Sequence, residues 1–240
     1  MEKPQFRERY LNENAWLPLG LEIDHIRQAI KAVYDRYHQV NEFHIEEFGT
    51  RFYDEFRAMN AVGDYVGHQF NNALIEQMET LEHNPHDDRR PDIIHSGFRA
   101  AAENRDKSIV DGIEQKAAHY RSFFTSHNES PTNILFLQYR VNAQGEIPED
   151  EEPFEFTQIL VADGGKYNWE FEDRGQGSNT TWRAADDLKD ALRSNPLYQN
   201  PESICQNEHV ERYRRIQASF DPVFAESNPE YVSEEPEMAI

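Results

Sequence analysis

Residues 134–141 read Ile-Leu-Phe-Leu-Gln-Tyr-Arg-Val, and residues 154–162 read Phe-Glu-Phe-Thr-Gln-Ile-Leu-Val-Ala. Two near-continuous apolar runs of this length, set between polar segments, have the pattern of strands inside a sheet. Upstream the pattern is different. Ile23, Ile26, Ile30, Val33 and Tyr37 recur at three- and four-residue steps and predict a helix from Leu21 to Gln39. Phe48, Phe52, Phe56 and Met59 predict a second helix over 46–59. Asp64, ahead of Val66, Phe70, Leu74 and Met78, predicts a third helix capped by its carboxylate. Trp16 and Leu17 are expected to dock on the core. The chain is therefore read as α/β: a helical N-terminal part, 1–82, packed on one face of an α/β core, 83–220.

Within that core, 83–91 reads as a polar loop. The residue before a proline is driven toward extended geometry, so Pro91 suits the entry to a strand over Asp92–Gly97. Residues 98–107 read as a polar connection, a hairpin or an irregular loop. A second strand is expected over 108–117. Ile109, Ile113, Ala117, Tyr120 and Phe124 also fit a helix over 108–124. Against the helix stand Gly112, which costs about 1 kcal/mol relative to Ala in a helix interior, and the β-branched pair Ile109-Val110. An acidic turn over 142–153, a fifth strand over 167–171, a loop over 173–181 and helices over 184–193 and 208–219 complete the reading. Asp221, Glu226, Glu230, Glu234, Glu235 and Glu237, mixed with prolines, mark 221–240 as a disordered acidic tail.

Spacing around the first two core strands carries the chemistry. Side chains along a strand alternate faces, so Glu114 and Lys116 share one. A strand beginning at Pro91-Asp92 beside one containing Glu114-Gln115-Lys116 brings two carboxylates and an ammonium together. In a helix the last two would lie about 200° apart and the group would not form. Two hard oxygen ligands suit Mg²⁺, which is commonly held by a few carboxylates together with water and phosphate oxygens. The lysine could orient water or stabilise charge developing on phosphorus.

Pro91-Asp92 followed by Glu114-x-Lys116, with the strands around them, resembles the PD-(D/E)xK nuclease superfamily, which includes many type II restriction endonucleases. The resemblance covers about Ala61 to Thr181, including 154–162, Trp169 and Arg174-Gly175-Gln176-Gly177-Ser178. It implies a restriction-endonuclease-like mixed central sheet of about five strands flanked by helices. It further implies Mg²⁺-dependent hydrolysis of double-stranded DNA leaving a 5′-phosphate, a homodimer and, for a restriction role, a cognate methyltransferase. Asp92 and Glu114 would be metal ligands, joined by the Gln115 carbonyl, with Lys116 as catalytic cation. Glu76 is the candidate helical ligand upstream, with Glu79 competing and Asp111 helping only if the strand bulges. Gln115 departs from the aliphatic residue usual at that position.

Arg174, Ser178, Asn179, Thr180, Thr181 and Arg183 offer hydroxyl, amide and guanidinium groups suited to phosphate or base-edge contact. His119 and Arg121, following the Glu-x-Lys strand, could touch phosphates. The histidines show no zinc spacing, and Cys205 has no cysteine partner. No run of about eighteen apolar residues suits a membrane span, and the N-terminus lacks a signal peptide's apolar stretch; a reducing, cytoplasmic setting is expected.

Charge weighs against loose DNA binding. Asp and Glu number 45 against 24 basic residues, and the net charge is −21. Arginine far outnumbers lysine, which suits forked phosphate contacts. Such a surface fits a chain from a salt-rich cytoplasm and equally an ordinary acidic protein. Three rivals follow: a catalytically inert DNA- or protein-binding protein of the same fold, a repair or recombination nuclease, and a mainly helical regulator in which 108–124 is helix.

Overall fold

The computed structural model describes residues 5–56, 61–86, 91–104, 112–119, 125–126, 133–141, 154–172, 181–201 and 210–232. It is a mixed α/β structure with a six-stranded mixed sheet flanked by helices.

Helix α1 spans Ile23–Phe48 without a break. Glu22 and His25 cap its first turn reciprocally, and Gly49, at φ 72°, ends it in the left-handed conformation that glycine tolerates best. The expected end near Gln39 is therefore corrected. The second segment shrinks to α2, Phe52–Phe56, with 57–60 outside the described residues. Helix α3, Ala61–Ile75, begins before Asp64, which sits inside its first turn rather than capping it. There its charge complements the N-terminal helix dipole.

Strands β1 (Leu81–His83), β2 (Ile93–His95) and β3 (Gly112–His119) pair antiparallel in order. Helix α4, Arg99–Glu103, replaces the irregular connection expected at 98–107. After the two-residue strand β4, Thr125–Ser126, come β5, Asn133–Val141, parallel to β3, and β6, Phe154–Asp163, antiparallel to β5. The helical alternative for 112–119 is thus excluded. Strands β7, Trp169–Glu172, and β8, Thr181–Ala184, form a small second sheet with β4. Helix α5, Asp186–Ser194, leads directly into β9, Pro196–Gln199, on the far edge of the main sheet. A proline at the first strand position needs no ladder donor, so Asn195-Pro196 ends the helix and starts a strand at once.

The N-terminal helices cover one sheet face. Ile30, Val33 and Tyr37 of α1 and Val66, Phe70 and Leu74 of α3 bury against Leu135, Leu137, Phe154 and Phe156. Tyr37 stacks on Phe154 with ring centroids 4.4 Å apart. Thr157 has no partner on β5, because Gln138 faces Gln158 while Tyr139 faces Phe156. At this bulge the Phe156 N–H donates instead to the Tyr34 hydroxyl, 3.1 Å away, tying β6 to α1. Ile134, Phe136 and Leu160 pack on the other face beneath Leu188 and Leu192 of α5. Leu17 packs on the core, but Trp16 remains 45% exposed, with the Lys166 ammonium over its ring.

The expectation of a disordered tail from Asp221 onward is corrected over 221–232. Asp221 caps α7, Pro222–Ser227, which follows α6, Val210–Phe220. Residues 233–240 lie outside the described residues. No helix among the described residues is long and apolar enough to cross a membrane.

Candidate functional site

The site forms where β2 ends and β3 runs on. Ladder pairing between them stops at Ile93–Ile113. One step further along that register, Asp92 comes opposite Glu114. The Gln115 N–H has no β2 carbonyl to meet, and the Asp92 carboxylate takes its place: Oδ2 accepts from Gln115 N at 2.7 Å. A main-chain donor at the rim is thus what aims the carboxylate.

Two neighbours fix the arm that carries Asp92. Asn84 donates its side-chain amide to the Pro91 carbonyl at 3.0 Å and its backbone N–H to the Asp92 carbonyl at 3.0 Å. Gly112 lets Pro91 lie across β3, since a Cβ there would come within 2.1 Å of the proline ring and 2.5 Å of the Ile93 carbonyl. Gly112 argued against a helix in the sequence; in the fold it makes room for the acidic arm.

Alternation along β3 separates its side chains. Ile113 joins the core beneath α1 and α3. Glu114 and Lys116 stand on the opposite face, in register with Ile134 and Phe136. Glu114 is 0% exposed, and its Oε1 lies 2.7 Å from Lys116 Nζ. Burying a carboxylate carries a desolvation cost of several kcal/mol, which the Lys116 ammonium offsets in part. Packing alone would favour an apolar residue at position 114.

A cleft of about 700 Å³ opens around the free edge of β3. Asp92, Gln115, Lys116 and Ala117 form its sheet side. Gly63, Asp64, His68 and Asn71 of α3 form the facing wall, and His83, Asn84 and His86 close one end. The wall stands close to the strand because two glycines allow it. A Cβ on Gly63 would sit 3.2 Å from the Ala117 carbonyl, and one on Gly67 would sit 2.3 Å from Gln115 Oε1. Lys116 is the only lysine or arginine among these lining residues.

The oxygen donors fit a hard divalent cation of the Mg²⁺ class. Among the described residues no three His, Cys, Asp or Glu side chains are grouped to hold a metal. Two carboxylates and the Gln115 main-chain carbonyl, completed by water and phosphate oxygens, are how Mg²⁺ is usually held, without an all-protein cage.

The other expected residues fall elsewhere. Glu76, just beyond α3, pairs with Arg36 at 3.2 Å, is largely exposed and does not line the cleft. Glu79 is also exposed. His119 sits at the end of β3 with its ring against Tyr53 and Tyr139, at centroid distances of 5.4 and 5.8 Å. The backbone of Arg183 belongs to β8, opposite Thr125. Asp111, Arg121, Arg174, Ser178, Asn179 and Thr180 lie outside the described residues. Sequence reasoning missed Asn71, Asn84 and the histidine group. The signal was the stripe Gly63, Gly67, Asn71, at helical spacing beside the apolar stripe and without the bulk of a core face.

No family model matches this chain, and neither a curated protein nor a solved structure matches it.

Proposed function

We propose that this chain is a metal-dependent nuclease of the restriction-endonuclease-like, PD-(D/E)xK kind, hydrolysing phosphodiester bonds of double-stranded DNA at the β2–β3 rim. One observation carries the reading: Asp92 accepts from the Gln115 N–H at 2.7 Å on the strand where Glu114, fully buried, lies 2.7 Å from Lys116 Nζ. Two carboxylates and an ammonium at one strand end, next to an open cleft, suit phosphoryl chemistry better than they suit packing.

Asp92, Glu114 and the Gln115 carbonyl would hold Mg²⁺. When bound, the cation offsets charge on the scissile phosphate and lowers the pKa of bound water. Lys116 lies beside the Glu114 carboxylate and lines the cleft with Asp92, so its ammonium can orient the attacking water and stabilise charge on the phosphate oxygens. The Asn84 clamp keeps Asp92 in place before substrate arrives. A restriction role would add a methyltransferase partner and a homodimer that cuts both strands. The same rim in a repair or recombination nuclease would act on branched DNA.

A second reading is an inert nuclease-fold binding protein. The complete burial of Glu114 and its ion pair with Lys116 favour it, since that carboxylate is already engaged. Plasmid nicking in Mg²⁺ and in EDTA separates the two. The nuclease reading predicts cleavage only with divalent metal, reduced about 10²- to 10³-fold by Lys116→Ala or Asp92→Ala. Cleavage that persists in EDTA, or is unchanged in both variants, contradicts it.

A further inference from the structure

Asn71 and Gln115 face the cleft from its two sides, Asn71 from α3 and Gln115 from β3. Both are more than nine-tenths buried, at 6% and 9% exposure. Asn71 Oδ1 and Gln115 Nε2 are closed off from solvent, and neither has a hydrogen-bond partner among the described residues. A buried polar atom left unpaired is costly, and such atoms are rare in folded proteins. Here one is an acceptor and the other a donor, and both belong to the same cleft.

Flat surface adjoins them. The rings of His68 and His83, which also line the cleft, stack at 5.4 Å between centroids with 16° between planes. Asn72 fixes the His83 ring through a 2.6 Å contact with Nε2. Among the described residues, Asp64 and Asp92 line the cleft against the single Lys116. A site built to follow a duplex backbone would present several Lys or Arg to phosphates. The described residues here present an acceptor, a donor and stacked rings, which is the chemistry that reads an unstacked base.

We propose that the cleft takes one unpaired nucleobase of a nucleic-acid strand, the Asn71 and Gln115 side chains turning so that Oδ1 and Nε2 meet its hydrogen-bonding edge, with the His68–His83 stack beside its plane. The proposal rests on the nuclease reading of the same cleft and deepens it: the preferred duplex carries an extruded or unmatched nucleotide next to the scissile phosphate. It also gives Gln115 a purpose, since an aliphatic residue there would supply no donor.

The test is equilibrium binding by fluorescence anisotropy, with Ca²⁺ in place of Mg²⁺ so that strands stay intact. The probes are a fully paired duplex, the same duplex with one bulged nucleotide, the same bulge without its base, and a free nucleoside monophosphate. The bulged duplex should bind about tenfold or more tightly than its abasic twin, the discrimination expected of a good pair of base-edge hydrogen bonds. Asn71→Leu and Gln115→Met, which keep side-chain volume, should each erase that preference without lowering the thermal midpoint. Equal binding of the bulged and abasic duplexes overturns the proposal. So does a lowered midpoint in both variants, because the two amides would then be structural partners of one another. Free nucleotide binding as tightly as the bulged duplex overturns the assignment to a strand. Base preference without metal-dependent cleavage would keep this site and remove the nuclease reading. Cleavage lost in Lys116→Ala without base preference would do the reverse.

Discussion

The two ends of the main sheet each bury a polar cluster, and the clusters are finished differently. On the β9 side Gln158 donates to Gln199 at 3.0 Å, Gln199 donates to the Tyr213 carbonyl at 2.7 Å and to Gln217 at 3.2 Å, and Gln217 donates to Asp221 at 2.9 Å. Asp221 then accepts from the Phe224 N–H at 3.0 Å and caps α7. None of the buried polar atoms of these four side chains lacks a partner. On the β2–β3 side, Asn71 Oδ1 and Gln115 Nε2 are buried without one among the described residues, and the Glu114 carboxyl group is fully enclosed. A saturated network fixes the packing of α6 and α7 on a sheet edge. An incomplete one beside an open cleft has bonding capacity to spare for something that arrives from outside. The contrast, more than any single residue, argues that one end of the sheet is architecture and the other a site.

Three substitutions press on this difference, from the largest effect to the smallest. Gln199→Leu removes the hub of the saturated network and strands Gln158, Gln217 and the Tyr213 carbonyl. It should lower stability by about 3 kcal/mol, read as a shift in the urea midpoint. Gly112→Ala drives a methyl into the Pro91 ring and the Ile93 carbonyl, neither of which can rotate away. About 2 kcal/mol should be lost, by the same measurement, as in other overpacked sites. Gly67→Ala meets only the end of the Gln115 side chain, which can turn aside. The roughly 1 kcal/mol gain in helix propensity offsets that displacement, so stability should stay within about 1 kcal/mol of wild type. A collapse of stability in Gly67→Ala would show that Gln115 is held as rigidly as the β9 network, and the contrast would fail.

Sequence carried the two central strands and the common face of Glu114 and Lys116, and less of the elements around them. The strands at 133–141 and 154–163 are legible because residues buried on both faces leave an apolar run whatever the neighbouring chain does. The Glu114–Lys116 pair is legible because strand alternation alone sets their common face. Helix α1 was cut short because its apolar stripe weakens after Tyr37, although only Gly49 breaks the backbone. β1 is hidden because Leu-Glu-His is too short to show a period, and β9 because Pro196 stops a helix as readily as it starts a strand. The α3 wall escaped notice for a different reason. Gly63, Gly67 and Asn71 carry no apolar signal, and their role appears only when the Gln115 amide and the Ala117 carbonyl are seen against them. The order within 221–232 was hidden by acidic composition, which says nothing of the buried Gln217–Asp221 bond that holds it.

Calorimetric titration of the protein with Mg²⁺ and Mn²⁺ bears most directly on the rim. The account predicts one site per chain in the wild type, weakened more than about tenfold in Asp92→Asn and in Glu114→Gln, each with its fold intact by circular dichroism. Wild-type protein that binds neither ion, or binding untouched by both substitutions, would contradict it.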